Sequence, residues 1–398
     1  MSTITKEDVE TVIYRAVSPD AKVLNYKLEP FTQMKNGILG SHTLLSVRVC
    51  TSSSRNDDVN VSTRTFFLKT PPDSAIQDLI MDEGIFEEEV NFHNDIQPLM
   101  LADYNGEKWC PKCYLAKGNA LVYEDLRVQG FTTPTELLIN KTFLKSALAT
   151  LARFHAASLL AEAKLGRSLK QAYPKYFAEK LYCDHNKHGR LTKDGFEAIV
   201  LMAEKFGLDS SLVLPHLYNC VSNKVKPKKG HVNVVCHSDL WKNNIMFNRS
   251  NECVMVDYQI LRYASPAVDV AMLVYLNTMP EFRKTGEIEI FKHYYSVFQE
   301  TLRKSKRDIQ IPSYDYMLKE YLNHRIVGMT YAALYLPGIY LKPDDIMKLM
   351  NDPKALTYFF SNRFKFINLE IDSNPVYAIR LKAILTELLD ETRQTLNP

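Results

Sequence analysis

The first part of the chain alternates apolar and polar residues in a pattern that predicts strands. Three runs rich in β-branched residues are bounded by turn-forming residues, and they cover residues 22–28, 42–50 and 61–70. The polar stretch 52–58 makes the last two runs a hairpin. Pro71 and Pro72 end the third strand, because proline cannot donate a hydrogen bond to the ladder. A further strand pair is predicted around residues 112–123.

Helical spacing replaces this alternation in the second part of the chain. Phe86, Val90 and Phe92 recur at near-helical spacing and predict a first helix over residues 82–95, which ends before Pro98. After residue 133, six more segments show helical character: 142–164, 195–206, 210–221, 281–304, 314–335 and 375–396. We therefore predict an α+β fold with a small β-rich N-terminal lobe, residues 1–125, and a large helical C-terminal lobe, residues 126–398.

Composition is that of an ordinary globular protein with more than one core. A chain of 398 residues exceeds the usual size of a single core, and a net charge of +3 gives no basic footprint for nucleic acid. The N-terminus lacks the pattern of a secretory signal, and the longest apolar stretch, residues 326–341, is short for a membrane span. Seven scattered cysteines fit reduced thiols. We expect a cytoplasmic protein without nucleic acid, membrane or an evident protein partner.

The most informative segment is a polar loop followed by a short apolar run. The loop starts with His237 and Asp239 and reaches Asn244, and Asp257 closes the apolar run thirteen residues later. This H-x-D-x-x-x-x-N spacing is that of phosphotransferases. In those enzymes one carboxylate accepts the proton of the attacking hydroxyl, while an amide and a second carboxylate hold Mg²⁺. The spacing predicts an enzyme that uses ATP and Mg²⁺.

Each residue of this set has a candidate role. Asp239 is the candidate catalytic base, and Asn244 and Asp257 are candidate ligands of Mg²⁺, since neutral and charged oxygens suit a hard cation. Taken singly, each fits an ordinary turn or strand end, so the combined spacing carries the interpretation. His237 belongs to the same catalytic loop. We expect its ring to support the loop by bridging backbone groups rather than to transfer protons.

Lys69 is a candidate phosphate-binding residue at the end of an apolar strand, where packing rarely requires a lysine. A helix acid would hold its ammonium in place, and three acids compete: Glu87, Glu88 and Glu89. Glu89 lies one turn from both Phe86 and Phe92 and shares their buried face. We therefore predict Glu89 as the partner of Lys69, and a solvated acidic face stays the alternative for the other two.

Two further segments are candidates for nucleotide contacts. The apolar strand that runs into Glu124 and Leu126 lies where the lobes should join, and its backbone would pair with the edge of adenine. Any edge strand has a similar pattern. Residues 36–42 lie between two strands, where Ser41 and backbone amides would cover the phosphates. This segment matches neither glycine-rich phosphate-binding pattern, so a plain β-turn is an equal alternative.

Several residues of the helical part have an architectural interpretation. His155 lies in a helix of small residues and is expected to be a core histidine. Asp269 opens an apolar helix, where the helix dipole favours an acid, and anchoring of the catalytic loop is the alternative. A group of tyrosines suggests an apolar acceptor pocket with hydroxyl groups, although a core explains many of them equally well: Tyr275, Tyr294, Tyr295, Tyr331, Tyr335 and Tyr340.

The chain resembles the ecdysteroid kinase-like family, a branch of the choline kinase and aminoglycoside phosphotransferase group with the protein-kinase-like fold. The resemblance extends from about residue 35 to 340 and is carried by residues 86–93, 122–126, 151–156, 237–244, 256–259, Arg262 and 265–266. It implies a two-lobe fold whose N-terminal lobe covers ATP and whose C-terminal lobe holds the catalytic loop and acceptor pocket. It also implies phosphorylation of a hydroxyl on a small lipophilic molecule, with ecdysteroids as the known substrate type and detoxification as a suspected wider role.

Three departures from related patterns qualify this resemblance. Ser238 stands where the family usually has glycine, and its small side chain is expected to fit. Phe92 and His93 replace the usual aromatic pair, which concerns packing. Trp241 stands where protein kinases carry a phosphate-reaching lysine, and neither Asp-Phe-Gly nor Ala-Pro-Glu follows in the sequence, so a protein substrate is not expected. We predict an ATP-dependent small-molecule kinase. The alternatives are a choline- or aminoglycoside-type kinase and an inactive relative that binds nucleotide or steroid.

Overall fold

An antiparallel sheet lies within the first 124 residues, and helices dominate the rest of the chain. The computed structural model describes residues 4–31, 41–52, 59–71, 84–136, 138–183, 187–211, 214–305, 307–340, 352 and 363–396. The order of elements confirms the predicted α+β class with a β-rich and a helical part. The division between residues 125 and 126 stays a prediction. Residues 36–40 of the predicted phosphate cover lie outside the described residues.

The sheet places Lys69 between the start of one strand and the strand that runs into Glu124, which is the expected hinge between the lobes. Its strands are β1 Lys22–Pro30, β2 Ser41–Ser52, β3 Val59–Thr70, β4 Cys113–Lys117 and β5 Ala120–Glu124, in the order β1-β2-β3-β5-β4. In this register Lys69 lies opposite His42 of β2 on one side and Leu121 of β5 on the other. The two strands of the predicted hairpin pair with each other and the later strand pair is present, while residues 53–58 of the predicted turn lie outside the described residues. Lys69 is therefore held by ladder partners on both sides.

The sheet is preceded by a helix, and we did not predict this helix from the hydrophobic pattern. Helix α1, Lys6–Ala16, starts with a capping box in which the Thr5 side chain accepts from Asp8 N and the Asp8 side chain accepts from Thr5 N. It buries Val9, Val12 and Ile13 against the sheet. The signal was present in the sequence, because a capping pair followed by apolar residues three and four apart is typical of a helix start.

The helix that carries Glu89 continues beyond its predicted end. Helix α2, Ile85–Asn91, passes through a π-helical segment, Phe92–Ile96, into α3, Gln97–Ala102. The prediction that the helix ends before Pro98 is wrong. Proline lacks a donor and its ring collides with the carbonyl four residues back in a regular helix. The π-turn, closed by the bond from Gln97 N to Phe92 O, widens the backbone just before the proline.

Helices make up most of the remaining chain. They are α4 Lys141–Leu165, α5 Leu169–Ala172, α6 Lys187–Lys205, α7 Leu214–Lys224, α8 Ala267–Asn277, α9 Pro280–Arg303, α10 Tyr314–Ile339, α11 Arg363–Ser373 and α12 Pro375–Leu396. All six predicted helices are present, and α6 begins earlier than predicted. Helix α11 was not predicted, since its apolar residues alternate as in a strand.

Two small antiparallel strand pairs interrupt these helices and hold the catalytic segment. Strand β6, Val234–Cys236, pairs with β9, Arg262–Ala264, and β7, Ile245–Phe247, pairs with β8, Cys253–Met255. The polar loop that follows β6 and the loop that follows β8 are therefore brought side by side. The candidate base and the second candidate aspartate lie on these two loops.

Helices α8 and α10 pack closely at the centre of the helical part. A Cβ added to Gly328 of α10 would lie 2.4 Å from the carbonyl oxygen of Ala271 in α8, so only glycine allows this approach. The apolar stretch 326–341 falls mostly in α10, where many of its side chains are buried. None of the described helices is long and apolar enough to span a membrane.

We expect Gly328→Ala to lower the free energy of unfolding by about 1–3 kcal/mol, because the added methyl group separates two packed backbones. Urea unfolding of the purified protein measures this change. Gly338→Ala is the matched control, since a Cβ at this position of the same helix has no neighbour within 4 Å. Equal stability of the two variants would contradict the close contact.

Candidate active site

Lys69 is a buried cation surrounded by oxygen atoms. Only 4% of the residue is exposed, and its Nζ donates to Glu89 Oε2 at 2.6 Å and to Asp257 Oδ1 at 2.8 Å. The amide oxygen of Gln259, oriented for these neighbours, accepts from the same Nζ at 3.2 Å. Burial lowers the pKa of Lys69, but the charges of Asp257 and Glu89 outweigh it and raise the pKa overall. The lysine is therefore held as an ammonium.

Glu89 is fixed by contacts on its other oxygen. Glu89 Oε1 accepts from the Tyr123 hydroxyl at 2.9 Å and from Tyr258 N at 3.3 Å. The three acidic residues of α2 therefore have different surroundings. Glu89 contacts Lys69, Glu88 pairs with Lys180, and Glu87 is exposed. The pairing is the one we predicted, and a nucleotide-related role for it stays a prediction.

The backbone of the catalytic loop is anchored by Asp269. The carboxylate, in the first turn of α8, accepts from His237 N at 2.6 Å and from Ser238 N at 2.9 Å. His155 Nε2 lies 3.1 Å from Asp269 Oδ2, and His155 Nδ1 lies 2.8 Å from the Tyr294 hydroxyl. Of the two interpretations of Asp269, the geometry favours loop anchoring. His155, which is fully buried, supports that anchor.

Cys236 completes a buried group with His155 and Asp269 whose potential metal-ligand atoms lie within 4.8 Å of one another. Both carboxylate oxygens of Asp269 already face N–H groups. Burial also raises the pKa of the Cys236 thiol well above its ordinary value, which disfavours the thiolate that a metal needs. The group is therefore best explained as a structural support beneath the loop.

The ring of His237 joins the catalytic loop to the segment before Asp257. His237 is fully buried, and its Nε2 lies 3.0 Å from the carbonyl oxygen of Val256. Burial lowers the pKa of His237, so the neutral ring donates from Nε2 to this carbonyl. The geometry favours the structural role that we expected for this residue over proton transfer.

Asp239 and Asn244 are hydrogen-bonded to each other within the loop. Asn244 Nδ2 donates to Asp239 Oδ2 at 2.7 Å and to the backbone oxygen of Asp239 at 2.9 Å. Val256 N donates to Asn244 O at 3.0 Å, which draws the Asp257 segment to the same place. Burial, and then the charge of Asp257, raises the pKa of Asp239 to about 7. The two candidate aspartates and Asn244 therefore converge on one place.

The donor set at this place fits Mg²⁺. Both bonds of the Asn244 side chain use Nδ2, so neither of them engages its carbonyl oxygen. Asp257 contacts Lys69 through Oδ1 and its side chain is 26% exposed, which leaves Oδ2 outside that ion pair. One neutral and one charged oxygen are ligands that a hard cation prefers. Asn244 and Asp257 are thus suited to hold the ion, and this role stays a prediction.

Two loop residues have left-handed backbones without being glycine. Ser238 has φ of 65° and Asp257 has φ of 72°, a region that costs a residue with a Cβ about 1–2 kcal/mol. We expected a small side chain to fit at position 238 because of its size, and this expectation did not consider the backbone conformation. The backbone conformation gives a different reason for the glycine usual in the family. In addition, Ser238 Oγ is buried without a hydrogen-bond partner among the described residues.

The remaining candidate nucleotide residues lie around the end of the sheet. Ser41 begins β2 and pairs with Thr70, next to Lys69. The Glu124 side chain accepts from Lys108 Nζ at 3.2 Å and from Lys112 N at 2.8 Å, so a nucleotide contact there would use the backbone. Leu126 follows β5 and is buried in a small cluster that includes Val254 of β8. These positions agree with the expected hinge, whose role stays a prediction.

Some residues of the site were not assigned a role from the sequence. Gln259 and Tyr258 belong to the Asp257-Tyr258-Gln259 segment, which carried the family resemblance but suggested no contacts. Tyr123 was also assigned no role, since the sequence indicated only that it belongs to an apolar strand. Their proximity to Glu89 and Lys69 depends on tertiary packing, over 34 residues between Tyr123 and Glu89 and over 169 between Tyr258 and Glu89, which spacing along the chain does not reveal.

The fold and this set of residues define a phosphotransferase of the small-molecule kinase class. The model of a family described as "Ecdysteroid kinase-like family" matches residues 43–307, which is more than half of the chain. The protein belongs to the ecdysteroid kinase-like family.

Several solved structures are similar to this chain. They include an ethanolamine kinase of Plasmodium vivax, with 13% identity and a TM-score of 0.43, covering 98% of this chain and 91% of that chain. A choline kinase of Streptococcus pneumoniae has 13% identity and a TM-score of 0.37, with coverage of 92% and 99%. A spectinomycin phosphotransferase in complex with ADP and spectinomycin has 12% identity and a TM-score of 0.40, with coverage of 98% and 99%. No curated protein sequence gives a match.

We expect Ser238→Gly to raise the free energy of unfolding by about 1 kcal/mol, because glycine adopts the left-handed conformation without a Cβ penalty. Turnover should be retained, since the backbone bonds to Asp269 are kept. Chemical denaturation measures the gain. Asn251→Gly is the control, because Asn251 also has positive φ, at 61°, but asparagine tolerates this region. Destabilisation by Ser238→Gly would show that the serine side chain has a positive role.

We expect Glu89→Gln to weaken ATP binding about tenfold, because Lys69 would lose one of its two carboxylate partners and shift towards Asp257. Isothermal titration with ATP and Mg²⁺ measures the dissociation constant. A tenfold loss corresponds to about 1.4 kcal/mol. Glu87→Gln removes an exposed acid of the same helix and should leave binding unchanged. If both variants bind ATP as the wild type does, Glu89 has no part in positioning Lys69.

Proposed function

We propose that this protein transfers the γ-phosphoryl group of ATP to a hydroxyl of a small lipophilic acceptor, an ecdysteroid or a related hydroxylated compound. The observation that supports this most is the convergence of Asp239, Asn244 and Asp257 beside the buried Lys69. A base, two oxygen ligands for a cation and a fixed ammonium are the groups that phosphoryl transfer requires.

Lys69 and its partners serve the nucleotide. The ammonium, held by Glu89 and Asp257, orients phosphate oxygens and compensates their charge. Ser41, next to the strand end, and the backbone of Glu124 and Leu126 flank the nucleotide at its two ends. Because these groups are held before ATP binds, little reorganisation is needed when charge develops on the transferred group.

Asn244 and Asp257 would hold Mg²⁺. When bound, the ion neutralises the charge of the phosphate groups and favours departure of ADP. The two ligands come from loops that a backbone bond between Val256 N and Asn244 O holds together. Their separation is therefore set by the backbone rather than by mobile side chains.

Asp239 would act as the base in the transfer itself. The acceptor oxygen forms a bond to the γ-phosphorus while the bond from that phosphorus to the bridging oxygen of ADP breaks. The acceptor proton passes to Asp239, and ADP leaves with the electron pair of the broken bond. Asn244 engages Oδ2 of Asp239, and Oδ1 is buried without a hydrogen-bond partner among the described residues, so Oδ1 would be the oxygen that takes the acceptor proton. Orientation of the hydroxyl matters more here than the strength of the base.

We expect Asp239→Asn to lower kcat about 10²–10⁴-fold, the usual contribution of a positioned general base, while ATP binding with Mg²⁺ persists. A coupled assay of ADP release with a hydroxylated steroid measures turnover, and thermal shift with ATP, with and without Mg²⁺, measures binding. Asp20→Asn changes an exposed aspartate of the chain and serves as the control. Full activity of a folded Asp239→Asn protein rejects the assignment of the base.

Analysis of the phosphorylated products separates the competing functions. Mass spectrometry of products from a panel that contains ecdysteroids, choline and an aminoglycoside identifies the phosphorylated class. Phosphorylation of choline or the aminoglycoside alone would replace the lipophilic acceptor by the alternative class. Metal-dependent ATP binding by the wild type without any phosphorylated product or ADP release would indicate an inactive relative.

A further inference from the structure

The six tyrosines that suggested an acceptor pocket fall into two groups with different contacts. Four of them have contacts that explain them as parts of the helical core. Tyr275 donates to Glu287, Tyr294 contacts His155, Tyr295 donates to the carbonyl oxygen of Pro312, and Tyr340 packs against Tyr377 with ring centroids 5.1 Å apart. The other two, Tyr331 and Tyr335, lie one turn apart on α10, and their ring centroids are 5.9 Å apart.

Tyr335 lies against the candidate base. Asn244 binds Oδ2 of Asp239, while Oδ1 is buried and has no regular hydrogen-bond partner among the described residues. Burial and the neighbouring Asp239 carboxylate both raise the pKa of the Tyr335 hydroxyl, so the phenol group lies near Asp239. Any hydroxyl that transfers its proton to Asp239 must reach the oxygen that Asn244 does not engage. Tyr335 is half-buried, so part of its surface is accessible to such a hydroxyl.

The ring of Tyr335 is supported from behind. Tyr331 is only 2% exposed, and its ring centroid lies 5.9 Å from that of Tyr335. Its hydroxyl accepts a hydrogen bond from Arg262 Nη1, and Arg262 Nη2 donates to Glu179 Oε1 at 3.0 Å. Arg262 also lies over the ring of Tyr182, 5.3 Å from its centroid. This chain of contacts joins α10, β9 and the segment around residues 179–182 into one fixed surface.

We propose that Tyr335, backed by Tyr331 and Arg262, forms the wall of the acceptor subsite beside Asp239. The ring would lie against an apolar face next to the reactive hydroxyl, and the phenol group would align that hydroxyl with the base. The class of ligand is a hydroxylated molecule with a flat apolar face, such as a steroid. This inference rests on the proposed function and adds a residue that determines acceptor specificity.

Two variants of Tyr335 separate the ring from the hydroxyl group. Tyr335→Ala removes the wall, and we expect the KM for an ecdysteroid acceptor to rise about tenfold or more while the KM for ATP stays within about twofold. Tyr335→Phe keeps the ring, and we expect kcat to fall about tenfold with a small change in the acceptor KM, as loss of a hydrogen bond at a charged group predicts. Steady-state kinetics with each substrate varied in turn measure these values.

Tyr295→Phe is the matched control, because it removes a buried tyrosine hydroxyl of the core without touching the loop. It should leave kcat and both KM values as in the wild type. An unchanged acceptor KM in Tyr335→Ala, or an equal rise in the KM values for ATP and acceptor, would overturn the proposed wall. If Tyr335→Ala does not fold, wild-type kinetics in Tyr335→Phe would overturn the proposed alignment of the hydroxyl.

The outcome for the wild type distinguishes this inference from the proposed function. A wild-type protein that phosphorylates an ecdysteroid, combined with kinetically normal Tyr335 variants, rejects the wall and leaves the proposed function intact. A wild-type protein that phosphorylates no acceptor rejects the proposed function, and with it the subsite. Selective loss of acceptor affinity in an otherwise active variant supports both.

Discussion

The arrangement of the site depends on the buried ammonium of Lys69. An unpaired charge at such a position would cost several kcal/mol, so the surrounding structure must supply oxygens. Those oxygens come from Glu89 of α2 and from Asp257 and Gln259 of a loop in the helical part of the chain. The hydrogen bonds to the Lys69 ammonium therefore bring together a strand, a helix and the loop that carries Asp257, although these elements are far apart in the sequence. The same contacts that stabilise this burial position the groups that would meet ATP.

A second anchor acts on the backbone rather than on a side chain. Asp269 accepts from two successive N–H groups of the catalytic loop, and the His237 ring ties that loop to the carbonyl of Val256. Left-handed conformations at Ser238 and Asp257 persist because these contacts overdetermine the backbone. Since the backbone is held in this way, the side chains of Asp239 and Asn244 are left to interact with each other and with ligands.

Local spacing explains which parts of this arrangement could be predicted from the sequence. Glu89 was separable from its neighbours because helical geometry fixes which of three adjacent acids faces inward. The strands and the six main helices followed from their periodicity, whereas α1 was overlooked despite its capping pair and the π-segment before Pro98 has no periodic signature. Size alone gave no hint of the positive φ at Ser238. The contact of Tyr335 with Asp239 joins residues almost a hundred positions apart, and no pattern along a single chain encodes such a contact.

Because of this difference between local and distant contacts, substitutions affect the loop residues and the proposed acceptor wall differently. The candidate base and metal ligands lie within one short segment, residues 237–257, which is held by the bond from Val256 N to Asn244 O and by the bonds of two loop N–H groups to the Asp269 carboxylate. The proposed acceptor wall is assembled from α10, β9 and the segment around Glu179, and it depends on side chains such as Tyr331 and Arg262. Substitutions there alter the surface that an acceptor meets without disturbing the bonds that hold the loop. We therefore propose that one set of phosphoryl-transfer residues would serve different hydroxylated acceptors, with specificity set by residues that the candidate catalytic motif does not contain.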